Sequence, residues 1–324
     1  MNLRQTALIV LAAFGLIFSG AGAPWAAEKK FPTKQIQVII PFQPGDTDNL
    51  LRPFLEKMPE FLGQPVTMVY KPGAAGATGA GFVAASKPDG YLLVGSSHSS
   101  IVVVPLTQKD VGYTWKSFAP VCSMADSGSL LVVQSSAPWK TLKDLIEDSK
   151  KNPGKVNYSS SGTFGSNHLI PEAMCAEAGI KWTYIPSQGS GPTITALLGG
   201  HVQVASTAIV PALPHLRAGA LRSLAVYGPA RMRALPDAPT LRELGFSVHS
   251  ASPYGILAPK DTPKEVVDAL YQAAKKAAEK YREPIAGRLD KLGAEIGFES
   301  PEEYSAHLSR QYELFSKILS IVKK

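Results

Sequence analysis

From Gln35 onward one device recurs along the chain: a short apolar run, a loop rich in Gly, Ser and Thr, then an amphipathic stretch. Residues 36–42 are such a run, and Gln43-Pro44-Gly45-Asp46-Thr47-Asp48 follows it. Residues 64–70 run into Pro72-Gly73-Ala74-Ala75-Gly76, and 91–95 into Ser96-Ser97-His98-Ser99-Ser100. Residues 156–159 lead to Ser160-Ser161-Gly162-Thr163-Phe164-Gly165-Ser166-Asn167, 182–185 to Pro186-Ser187-Gln188-Gly189-Ser190-Gly191, and 202–205 to Ser206-Thr207. Short apolar runs bounded by turn residues predict strands, and spacings of three and four, as in Leu51, Phe54, Leu55 and Met58, predict helices. Helices are expected over 50–61, 142–152, 169–178, 263–281 and 301–322. Strand–loop–helix order predicts an α/β fold with mostly parallel sheets flanked by helices. In such sheets ligands bind off the carboxyl ends of the strands, where these loops lie.

With 324 residues there is enough chain for two cores. The first 27 residues read as a leader: Arg4, an apolar run from Thr6 to Ser19, then small residues to Ala23. No later stretch has the 18 or more apolar residues of a membrane span, so an exported, soluble mature chain is expected. Cys122 and Cys175 are too few for a disulfide framework; separate buried thiols are the favoured expectation, with one bridge between them the alternative. The net charge of +7 is spread singly along the chain, without the basic stripe and interleaved aromatics of a nucleic-acid surface.

Catalytic signatures are missing. The glycines at 73, 76, 79 and 81 do not have dinucleotide-loop spacing, and Gly154-Lys155 is followed by Val156 rather than Ser or Thr. The six His contain no pair four apart, so no metal site is expected. Gly189-Ser190-Gly191 is not a nucleophile elbow. No enzyme activity and no cofactor are therefore expected, with an exported serine hydrolase or a ligand-sensing module as the rival readings. The loops do offer amide donors. A helix that starts at a strand end presents unpaired N–H groups and partial positive charge, an anion site that needs no Arg.

At these loops the sequence resembles the substrate-binding receptors of tripartite tricarboxylate transporters, the Bug family. The resemblance is carried by Ile39-Ile40-Pro41-Phe42-Gln43-Pro44-Gly45, Lys71-Pro72-Gly73-Ala74-Ala75-Gly76, Lys87-Pro88-Asp89-Gly90-Tyr91, Ser161 to His168, Leu197 to Val202, Pro211 to His215 and Ala258 to Pro263. It implies a two-lobed periplasmic-binding-protein (Venus flytrap) fold, with a ligand cleft between the lobes. Residues 28–124 and 251–324 would form lobe 1, residues 125–250 lobe 2, and 1–27 a cleaved signal peptide. It also implies a monomeric periplasmic receptor for a small carboxylate, delivering it to membrane permease subunits.

Carried onto this chain, the family's ligand contacts are Phe42, Pro44, Gly45, Asp46, Thr47 and Asp48 from the first loop. Ser161, Gly162, Thr163, Phe164, Gly165 and Ser166 come from the lobe 2 loop. Ser96, Ser97, Gln188, Gly189 and Thr207 occupy neighbouring strand ends. Two positions depart from the pattern. The first loop is one residue shorter than usual, with Asp46 where a second Gly is typical. Thr207 stands where many relatives have Asp. A carboxylate at 46 turned inward would repel an anion, so either it faces solvent or the ligand brings a donor such as a hydroxyl or amine.

Overall fold

The computed structural model describes residues 31–108 and 110–322, and the expected leader lies outside them. The chain begins with β1 (Ile36–Ile40), α1 (Thr47–Leu55), α2 (Pro59–Leu62), β2 (Val66–Tyr70), α3 (Ala77–Ala84) and β3 (Leu92–Ser97). A π-helical turn, Ser99–Val103, leads into α4 (Val104–Thr107) and then β4 (Phe118–Ser127). The middle of the chain is β5 (Ser129–Gln134), α5 (Leu142–Lys151), β6 (Asn157–Ser160), α6 (Ser166–Ala178), β7 (Thr183–Ile185), α7 (Ser190–Leu198), β8 (Val204–Ala208), α8 (Ile209–Arg217) and β9 (Leu221–Val226). It ends with β10 (Pro253–Pro259), α9 (Lys264–Lys280), α10 (Arg282–Leu292), β11 (Ala294–Glu299) and α11 (Pro301–Val322).

Two sheets result, with strand orders β11-β4-β10-β3-β1-β2 and β7-β6-β8-β5-β9. Both are mixed rather than mostly parallel. β1 pairs parallel with β2 and β3, and β6 pairs parallel with β7 and β8. β10 is antiparallel to β3 and β4, β11 to β4, and β5 to β8 and β9. Each sheet is covered on both faces. Ile36, Val38 and Ile40 pack with Leu51, Phe54 and Leu270, whereas Ile39 points the other way, toward Ala80 and Tyr304. That alternation is the period of two of a strand buried on both sides. In the second sheet Leu130 and Val132 face α7 and α8, while Leu131 and Val133 face α5 and α6.

The chain passes between the sheets at Gly128 and returns between Val226 and Pro253. Ala125, Asp126 and Ser127, expected in the second lobe, stay in the first sheet, where they pair with Tyr254, Pro253 and Ala294. β4, α8, α10 and β11 were not anticipated from the sequence. β4 carries Pro120, which cannot donate to a ladder; the pairing shifts register at Ile256/Leu257, next to the Leu257–Pro120 pair, and absorbs it. The helix expected over 50–61 is two helices, because Pro59 opens a new one at its first position. Cys122 and Cys175 are separate buried thiols. No described helix is long and apolar enough to cross a membrane.

Candidate functional site

β1 ends against α1, and the loop between them is fixed by Asp48. Its Oδ1 accepts the Gly45 N–H at 2.7 Å, and its Oδ2 accepts from the Tyr70 hydroxyl at 2.9 Å and from Arg52 at 3.3 Å. Gly45 takes φ of 142°, a conformation that only glycine adopts without strain. The loop is thereby held with Pro44, Gly45, Asp46 and Thr47 on the wall of a cavity.

That cavity, of about 100 Å³, lies between the two sheets. From the first sheet come Phe42 to Thr47, Ala75, Ser97, Ser99, Ser252 and Tyr254. From the second come Ser129, Ser161, Gly162, Gly165, Ser166, Asn167, Gly189 to Pro192, and Pro211. The first turns of α1, α6, α7 and α8 all reach this wall. First-turn N–H groups lack intrahelical partners, and the helix dipoles add partial positive charge there. Among the described residues no Lys, Arg or His lines the cavity. The available anion donors are therefore main-chain amides, hydroxyls and the side-chain amides of Gln43 and Asn167, which suffice for a carboxylate.

The two sides touch. The Ser166 N–H donates to Ser99 Oγ at 3.2 Å, and Thr107 Oγ1, which lies 2.9 Å from the Val104 carbonyl, also approaches the Phe164 carbonyl at 3.3 Å. Gly162 and Gly165 permit this approach. A Cβ at 162 would meet Ala75 Cβ at 3.1 Å, and one at 165 would meet Ser99 Oγ at 2.9 Å. The opposing loop stores strain, with both Ala74 and Ala75 at positive φ (47° and 54°).

Asp46 faces the cavity rather than solvent. Its Oδ2 accepts the Tyr254 hydroxyl at 3.1 Å, and its Oδ1 is buried without a partner. Burial pushes its pKa up to about 7; the bond from Tyr254 opposes this, and the nearby Asp48 charge adds to it.

Of the residues expected at the site, Phe42, Pro44, Gly45, Asp46, Thr47, Ser97, Ser161, Gly162, Gly165, Ser166 and Gly189 meet at this one cavity. Six do not. Asp48 is turned back to hold the loop. Ser96 lies on the opposite face of β3 from Ser97, bonded to Ser100 Oγ at 2.6 Å. Thr163 bonds Tyr184. Phe164 sits at φ 63°, its N–H taken by His168 Nδ1 at 2.9 Å and its ring exposed. Burial lowers the His168 pKa to about 4, so this imidazole is a neutral acceptor. Thr207 is buried within β8, opposite Leu130. Gln188 lines, with Thr163, a neighbouring cavity of about 230 Å³ that shares Phe42, Gln43, Ala75, Ser161 and Gly162 with the first.

Ser99, Asn167 and Ser190 lie on the wall but were passed over, although they sit inside the loops singled out. Helix register, which a loop's composition does not reveal, decides which residue faces inward. Tyr254, at the start of a strand that the sequence does mark, and Ser252 just before it carry no sign that they reach the cavity, because that strand returns to the first sheet only after an excursion of more than a hundred residues.

Known proteins agree with this architecture. The UPF0065 protein in gbd 5'region of Cupriavidus necator is 36% identical over 265 residues, 81% of this chain and 80% of its own length. Protein BugT of Bordetella pertussis is 32% identical over 272 residues, 83% of each. The structure of periplasmic binding protein BugD superposes with a TM-score of 0.82 at 28% identity, covering 90% of this chain and 99% of that one. MatC from Rhodopseudomonas palustris with bound malate gives 0.81 at 26%, covering 90% and 100%. R. palustris Rpa4515 with adipate gives 0.81 at 29%, covering 90% and 98%. The fold is the two-lobed α/β fold of periplasmic binding proteins. The profile of the tripartite tricarboxylate transporter family receptor matches residues 50–312, and the chain belongs to that family.

Proposed function

We propose that this chain is an extracytoplasmic receptor that closes around a small organic acid and hands it to the membrane subunits of a tripartite transporter. The observation that carries the reading is the cavity itself. Helix N-termini and hydroxyls from both sheets converge on a space without Lys or Arg. Thr47 and Ser97 on one side, with Ser161, Gly162, Ser166 and Gly189 on the other, would grip the acid, while Gly45, its N–H held by Asp48, shapes the wall. Two structural relatives, with malate and with adipate, hold carboxylates.

The two lobes, divided at Gly128 and between Val226 and Pro253, would separate to admit the ligand. Because an acid meets both lobes only when they are closed, its differential affinity drives closure. Three or four hydrogen bonds to a charged group, each worth about 1.5–3 kcal/mol, offset by ordering costs, reach the roughly −8 kcal/mol of micromolar binding. Residues 1–27 would direct export to the periplasm and be removed. The reading assigns no catalytic step.

The test is calorimetry of the mature chain against mono-, di- and tricarboxylates, together with mass spectrometry of any small molecule that co-purifies. Silence across the whole panel would count against the receptor role.

A further inference from the structure

We infer that the acid bound in this cavity carries a nitrogen donor, a primary amide or an ammonium group, and that the Asp46 carboxylate accepts it. The inference rests on the carboxylate-receptor reading above and narrows its ligand class.

Asp46 is the N-cap residue of α1, yet its side chain makes no capping bond. The usual reason for Asp at such a position is therefore not in force here. Asp48 already holds the Gly45 N–H, so the loop does not need the Asp46 carboxylate. Tyr254 orients that carboxylate by donating to Oδ2 at 3.1 Å, and Oδ1 is buried without a partner beside the cavity that Asp46 lines. On the other side of the cavity Asn167 donates through Nδ2 to Ser161 Oγ at 2.8 Å, and its Oδ1 is also buried and unpartnered.

Buried acceptors are rarely left unmade, because their desolvation is otherwise uncompensated. The site thus has two faculties. Amides and hydroxyls serve a carboxylate, and two orphaned oxygens call for a donor. When ionised, as at the pH 8 of the test, Asp46 repels a second ligand carboxylate. A ligand hydroxyl supplies one proton, whereas an amide or ammonium nitrogen supplies two or three and accepts none, so it can serve more than one oxygen.

The experiment is calorimetry at pH 8 on the mature chain with matched four-carbon acids: butyrate, 4-hydroxybutyrate, succinate, succinamate and 4-aminobutyrate. The series is repeated at three, five and six carbons. At the length that fits, the amide or ammonium acid should bind at least tenfold more tightly than the diacid and the hydroxy acid. The better of the two nitrogen arms identifies the donor. Asp46→Asn keeps an oxygen for Tyr254 and turns an NH₂ toward the ligand, so the preference should collapse or reverse toward the diacid. The wild-type series decides the ligand class even if that variant does not fold. Binding of plain acids with no nitrogen advantage, or an advantage unchanged in Asp46→Asn, overturns this inference and leaves the receptor reading standing. No binding of any acid at any length overturns both.

Discussion

The hydroxyl of Ser99 accepts the main-chain N–H of Ser166 across the cleft, at 3.2 Å. Ser99 follows β3 of the first sheet, and Ser166 opens α6 over the second. One bond thus joins the ends of two strands that belong to different sheets, beside the cavity that the acid would occupy. In the proposed receptor cycle it would form only while the halves are together, in the closed state.

Gly165→Ala tests that contact. The added Cβ would lie 2.9 Å from Ser99 Oγ, while Gly165 itself has φ of −81° and ψ of 177°, which alanine adopts freely. The change should therefore hinder closure without straining the fold. The expected outcome is affinity for the cognate acid weakened by about tenfold, the equivalent of roughly 1.4 kcal/mol, with the melting temperature of the empty protein nearly unchanged. Calorimetry and a thermal melt read the two quantities separately. Equal affinity would mean that the approach of Gly165 to Ser99 is not part of the bound state.

Asp46 makes the stability of the empty protein depend on pH. Its pKa is raised by burial from 3.8 to about 7, so the folded chain holds a proton that the unfolded chain releases. The sign follows: stabilisation is complete below about pH 4, declines as pH rises toward 7, and is flat above. Asp46→Asn removes the group. It should raise the melting temperature by a few degrees at pH 8 and change it little at pH 4. The contrast between the two pH values is the observable, and a variant curve parallel to wild type at both would refute the assignment.

Asp48→Ala should act through the loop instead. It removes the acceptor of the Gly45 N–H and of Tyr70, leaving partly buried donors unmade. A loss of about 1–3 kcal/mol in urea unfolding is expected, with weaker ligand binding because the wall from Pro44 to Thr47 loosens. Asp48→Asn, which keeps one acceptor oxygen, should recover part of both.

The loops that border the cavity were legible in the sequence because Gly, Ser and Pro clusters mark strand ends directly. Facing was not. Ser96 and Ser97 look alike on paper, but alternation along β3 sends one to Ser100 and the other to the cavity. Asp46 and Asp48 also look alike, and only the turn at Gly45 decides which of them holds the loop. β4 escaped notice because Pro120, Ser123 and Asp126 break its apolar pattern, although ladders on both sides and a register shift make it a central strand. The antiparallel half of each sheet was hidden for a related reason. Strands that return over long separations leave no local mark of their direction.

The C-terminal helix α11 should bind the two sheets into one cooperative unit. At 1.5 Å per residue its 22 residues span about 33 Å, enough to run past both. Tyr304 and Leu308 pack in the cluster that covers the first sheet, and Phe315 and Ile318 in the one between the second sheet and α6. Between them, the Ser250 hydroxyl, on the segment returning to β10, donates to Gln311 at 3.0 Å. Phe315 is fully buried and stacks on His98, whose ring centre is 5.5 Å away. Phe315→Ala should cost about 3–5 kcal/mol, the range for a large buried aromatic. Because α11 and the core around Leu130 and Ile209 touch both halves, that loss should lower one shared transition rather than split it. Calorimetric melting of wild type and variant reads this directly. Two resolved transitions in the wild type would show the sheets unfolding independently. A single transition displaced downward by the variant is the expected result, and it would mean that α11 couples the two halves in unfolding.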